Sequence, residues 1–140
     1  MKSKSIHGAS APEIKEALHR AMDDGFRPTV AIIFSSVQQD RDAICMLFRT
    51  HTIDVFGATS CGEFIDGTQT KGAIAILLLE IPKEQYTILL QPIENATIET
   101  GASGLAKQAL NAFANPSLIV CCTGMDKNGA FFNVDSISDT

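Results

Sequence analysis

Short apolar runs separated by segments of helical period constrain this chain more than any other feature. Thr29 to Phe34 is wholly apolar after its first residue and rich in β-branched side chains, the pattern of a strand buried on both faces and central in a sheet. Ile53 to Ala58, with Ile53, Val55 and Phe56 apolar, reads as a second strand, and Leu118 to Cys122 as the final one. Before and between them lie segments of a different period. Ser10-Ala11-Pro12-Glu13 is a capping box with proline in the first turn, followed by Ile14, Ala17, Leu18, Ala21 and Met22 at helical spacing until Gly25. Ser36 and Gln39 repeat the capping logic before a helix whose Ile44, Leu47 and Phe48 share a face. A third helix is predicted from about Ala102 to Ala114, with Leu105, Ala106, Ala109, Leu110 and Phe113 as its buried stripe and Asn115-Pro116 as its stop.

Gly72 to Glu80 and Gln85 to Gln91 are also apolar runs. The connection Ile81-Pro82-Lys83-Glu84 is too short for a helical crossover, so the two are predicted to pair antiparallel. The fold class that follows is α/β, a mixed sheet with helices packed against it and containing one antiparallel hairpin. With 140 residues, 45% of them hydrophobic and 19% charged, the chain has the material for one globular domain with a real core. Residues 1–7 carry two lysines with no apolar run behind them and read as a flexible N-terminal tail, leaving 8–140 as a single domain. Phe131 and Phe132, in a terminal stretch without period, either cap the core or cover a surface that favours self-association into a homo-oligomer.

Composition excludes several functions. The formal net charge is -5 and the lysines and arginines are scattered, which argues against a nucleic-acid surface. The longest apolar run, Ala73 to Leu79, is far short of a membrane span. Cys45, Cys61, Cys121 and Cys122 lack C-x-x-C spacing, and an adjacent pair on one strand points to opposite faces, so neither a metal nor a disulfide framework is expected. Cys45, Cys121 and Cys122 read as small core residues, and reduced thiols fit a cytoplasmic setting. His7, His19 and His51 stand apart from the cysteines and from one another along the sequence, which gives zinc ligation little support, and His19 reads as a solvated residue of the first helix. No cofactor is implied.

Chemistry concentrates in Gly57-Ala58-Thr59-Ser60-Cys61-Gly62-Glu63-Phe64, at the exit of an apolar strand. Two glycines let the backbone turn sharply around two hydroxyls and a thiol, with a carboxylate beside them. Run in parallel, the strands ending at Phe34, Ala58 and Cys122 bring Ser35, Ser36, Gly57, Thr59, Ser60, Cys61, Gly62, Glu63, Thr123 and Gly124 to one edge. Hydroxyls and free N–H groups there suit an anion, and Glu63 suits an ammonium or hydroxyl. A zwitterion such as an amino acid satisfies both. The bland alternative is that these residues only form turns and helix caps.

At this cluster the chain resembles the FIST N-terminal domain family. Gly57, Thr59, Ser60, Gly62, Glu63 and Phe64 fall in place on the family's pattern, and Gly72-Ala73-Ile74-Ala75-Ile76-Leu77 is similar to its glycine-led apolar strand. The resemblance covers about residues 8 to 135. It implies a sensory domain that binds a small ligand, amino acids being a suggested class, coupled to a signalling partner. It also implies a companion C-terminal domain for which this sequence has no room.

Two other readings stay open. Cys61 or Ser60 at a glycine turn is the arrangement of an acyl-transfer nucleophile, but Gly57 to Gly62 spells G-x-x-S-x-G, one residue longer than the hydrolase elbow. The nearest histidine in sequence, His51, precedes the strand and belongs at its opposite end. The last reading is a structural or interaction fragment whose partner is another chain.

Overall fold

The computed structural model describes residues 1–60, 62–65, 67–92 and 98–121. Two compact units divide the chain, Met1–Tyr86 and Thr87–Thr140. The first is α/β, a four-stranded mixed sheet with helices packed against it. Its elements are β1 (Lys2–Gly8), α1 (Ala11–Met22), β2 (Val30–Ser36), α2 (Arg41–Thr50), β3 (Asp54–Ser60), the short strands β4 (Glu63–Ile65) and β5 (Thr68–Thr70), and β6 (Ile74–Glu80). The main sheet runs in the order β1-β6-β2-β3. β2 and β3 are parallel, while β6 is antiparallel to both β1 and β2. β4 and β5 form a separate antiparallel pair.

The capping box at Ser10 folds as its sequence dictates. Ser10 Oγ accepts from the Glu13 N–H, and the Glu13 carboxylate accepts from the Ala9 N–H at 3.0 Å and from the Ser10 hydroxyl at 3.2 Å. One face of α1 then buries Ile14, Ala17, Leu18 and Ala21. They meet Ala31 and Ile33 of β2, Ile74, Ile76 and Leu78 of β6, Ile6 of β1, and Ile44 and Phe48 of α2 in one core. The strand residues of this core alternate along each strand, because successive side chains point to opposite faces. On the other face of β2, Ile32 is half-buried and Phe34 is 40% exposed, so the expectation of burial on both faces holds only in part.

Four expectations are corrected. Residues 2–8 are not a tail: they form β1, whose Ile6 packs into the core and whose Gly8 is buried. The predicted hairpin of 72–80 with 85–91 does not form, because both edges of β6 are already taken by β1 and β2. After β6 the chain makes a single 3-10 turn at Lys83–Gln85, and residues 86–92 carry no regular structure. The cap of α2 is Asp40, whose carboxylate accepts from the Ala43 N–H at 3.0 Å. Ser36 ends β2 instead and accepts from the Gln38 N–H, a turn bond. Finally, Cys45 and Cys121 are exposed rather than core residues. Cys45 follows Ile44 on α2 and so lies off the buried face.

In the second unit α3 (Ile98–Ala112) starts earlier than expected. Ala109 is buried, but Leu110, expected in the stripe, is 61% exposed. Gln108 donates to the side-chain oxygen of Gln91 at 3.2 Å. Residues 118–121 show no strand, and Cys122, Phe131 and Phe132 lie outside the described residues. No helix among the described residues is long and apolar enough to cross a membrane.

Tyr86, the last residue of the first unit, ties that unit's end to the sheet. Its hydroxyl donates to Asp54 Oδ2 at 2.7 Å and lies 3.1 Å from the Thr29 carbonyl oxygen, while Lys83 reaches the same Asp54 oxygen at 3.2 Å. Burial, then the Asp54 carboxylate, push the phenol up to about 12, and the bond from Tyr86, then Lys83, holds Asp54 below its ordinary value. A raised folded value means stability that is complete below the unfolded phenol value of about 10 and is lost as pH rises through the folded one. The chain has one tyrosine and no tryptophan, so phenolate absorbance near 295 nm reads this residue alone. Its midpoint is expected near 12, and Asp54→Asn is expected to move it down. A midpoint near 10 in the folded protein contradicts the tie.

Candidate functional site

The parallel register of β2 and β3 sets Ser35 opposite Thr59 and Ser36 opposite Ser60 at the carboxyl end of both strands. This is the edge where an open α/β sheet binds its ligands. Four of the predicted site residues are therefore brought together. Their availability differs sharply, however. Ser35 and Ser36 are buried, Thr59 and Gly57 are exposed, and Ser60 and Gly62 are half-buried. Cys61, Thr123 and Gly124 lie outside the described residues.

Glu63 is only 2% exposed. A carboxylate taken out of water needs donors, and two come from within the chain. The Ser60 hydroxyl donates to Oε1 at 2.7 Å and the Ala73 N–H donates to Oε2 at 3.1 Å. These bonds stitch the end of β3, the start of β4 and the approach to β6 together. Glu63 therefore works as an internal clamp, and the hydroxyl–carboxylate corner closes on itself. Gln39 adds a second stitch, donating its amide to the Gly72 carbonyl at 2.6 Å and to the Ala9 carbonyl at 2.9 Å. His51 caps the C-terminus of α2 and precedes β3, so the whole length of β3 separates it from Ser60.

The same sheet edge carries a concavity further along, by β1 and β6. A half-open hollow of about 360 Å³ is lined by His7, Gly8, Ala9, Glu13, Glu16, Arg20 and Ala73. Glu13, Glu16 and Arg20 recur at the spacing of one helix stripe, which places them along the flank of α1 beside β1. Glu13 is committed to the capping box. Glu16 and Arg20 form no ion pair among the described residues. Ala73 links the hollow to the clamp, since its N–H is held by Glu63.

Sequence reasoning missed this hollow because its charged residues all lie on α1, and the wall facing them, the end of β1 and Ala73 before β6, is set only when β1 pairs with β6. The one signal in the sequence was the i, i+4 pair Glu16 and Arg20, which lies off the apolar stripe of the first helix. Among the described residues, no group of three His, Cys, Asp or Glu side chains is placed to hold a metal ion. Comparison with known proteins finds no family model, no curated protein and no solved structure that matches the chain.

Proposed function

We propose that this chain is a non-enzymatic sensory module of the cytoplasm that binds a small zwitterion, of the amino-acid class, at the edge formed by the carboxyl ends of β1 and β2. The observation that carries the reading is the hollow beside α1, which offers one cation, Arg20, and one carboxylate, Glu16, neither engaged in an ion pair within the described chain. A ligand carboxylate pairs with the Arg20 guanidinium, whose planar fork suits it, and a ligand ammonium pairs with Glu16. The volume is at the lower end of small-molecule pockets, which fits a metabolite of a few heavy atoms rather than a cofactor. The resemblance of Gly57 to Phe64 to FIST N-terminal domains supports the same class of ligand and its coupling to a signalling partner. In this reading that motif supplies the scaffold: Glu63 holds Ser60 and Ala73, and Ala73 walls the hollow.

Calorimetric titration with the common amino acids tests this. At least one member is expected to bind, and Arg20→Gln and Glu16→Gln are each expected to weaken it by about tenfold or more, the size of a lost charge-assisted contact. Both residues are exposed, so the two variants are expected to melt with the parent protein. No heat from any member, or unchanged affinity in both variants, contradicts the proposal.

A further inference from the structure

The folded chain brings together two histidines that stand far apart in sequence. His19 of α1 and His51 at the C-cap of α2 have ring centres 5.6 Å apart, with planes tilted by 54°. Two imidazoles bound to one tetrahedral ion at the usual metal–nitrogen length of about 2.0–2.1 Å have ring centres roughly 5–6 Å apart. The observed spacing falls inside that window. The tilt also excludes a face-to-face stack.

A second, independent feature concerns the His51 tautomer. Its Nδ1 lies 2.9 Å from the Leu47 carbonyl oxygen. A carbonyl only accepts, so this bond requires the proton on Nδ1 and leaves the lone pair on Nε2. The Thr50 hydroxyl, which donates to the same carbonyl at 2.7 Å, sits 3.3 Å from Nδ1 and steadies the ring further. A backbone carbonyl fixing one ring nitrogen so that the other is free to ligate is the outer-shell arrangement that metal-bound histidines use. The His19 ring, for its part, makes no hydrogen bond within the described residues and is exposed.

We propose that His19 and His51 form a two-imidazole site for tetrahedral divalent ions of the zinc type, bridging α1 and α2. Imidazole is a preferred ligand for these ions. Solvent completes the coordination, since the described chain supplies no third histidine, cysteine or carboxylate to the group. The bridge ties the last turn of α2 to the flank of α1, and binding to the folded state alone raises thermal stability.

Zinc chloride alone is the probe, titrated calorimetrically and by melting temperature into the full chain and into a Cys45→Ser variant, which removes the exposed thiol on α2. One ion per chain is expected, with the same affinity in Cys45→Ser, and a melting temperature that rises with added zinc. His19→Gln and His51→Gln are each expected to weaken binding by at least about tenfold and to abolish the rise. His19→Gln carries the test if His51→Gln disturbs the end of α2, because His19 is exposed and makes no hydrogen bond there. Overturning results are no binding, binding retained in His19→Gln, or binding lost in Cys45→Ser, which assigns the ion to the thiol. Two chains per ion in solution also overturns the proposal, since the bridge is then between copies rather than between helices.

Discussion

Gly57→Ala is expected to lower the melting temperature of the first unit by more than about 12 °C, the equivalent of roughly 3 kcal/mol for a unit of this size. Gly57 pairs with Ile33 in the parallel ladder between β2 and β3. A β-carbon built there runs into the Ile33 carbonyl oxygen and lies 2.8 Å from its carbonyl carbon and 2.9 Å from its nitrogen. Those neighbours are backbone, so no rotamer change relieves the overlap and the two strands must separate locally. Ile33 is itself a core residue, and moving its backbone disturbs the packing of α1 and α2 against the sheet. Differential scanning calorimetry on the parent and variant reads the effect. A change of less than about 3 °C contradicts the close approach. By contrast Gly67, where a β-carbon meets nothing within 4 Å, is expected to lose less, and only through its positive φ of 80°.

Glu63→Ala is expected to cost about 2–4 kcal/mol, a loss near 10 °C or more, because it strands donors that the buried carboxylate satisfies. The Ser60 hydroxyl and the Ala73 N–H both lose an acceptor, and the cavity left by the side chain adds to the penalty. Glu63→Gln is milder, since the amide keeps the shape and one acceptor oxygen but turns an NH2 toward a second donor. An exposed carboxylate reaching for a ligand predicts the opposite, a protein that melts normally and binds poorly. Chemical denaturation with unchanged slope and a lowered midpoint confirms the clamp. A midpoint unchanged in Glu63→Ala removes it.

Local chemistry made some of this molecule legible from sequence. The Ser10 and Glu13 capping box, the buried face of α1 and the apolar runs of β2, β3 and β6 rest on contacts between near neighbours or on plain hydrophobicity, and all are found near their expected positions. What the sequence hid depends on distant pairing. β1 carries a single large apolar residue facing the core, Ile6, and becomes a strand because β6 offers it an unpaired edge. Occupying that edge also removes the hairpin expected at 85–91. In the same way, a carboxylate flanked by glycine and hydroxyls reads as a ligand group, and nothing in its neighbours reveals that it turns inward onto the Ala73 N–H. The capping logic at Ser36 failed for a related reason: β2 runs longer than its apolar stretch, drawing Ser35 and Ser36 into the sheet and passing the cap to Asp40.

Where a small zwitterion meets this sheet edge is measured directly by amide chemical-shift mapping by NMR during titration with amino acids. The predicted result is a saturable set of shifts at His7, Gly8, Ala9, Glu16, Arg20 and Ala73. Shifts confined to residues 59–62, or none with any amino acid, contradict it.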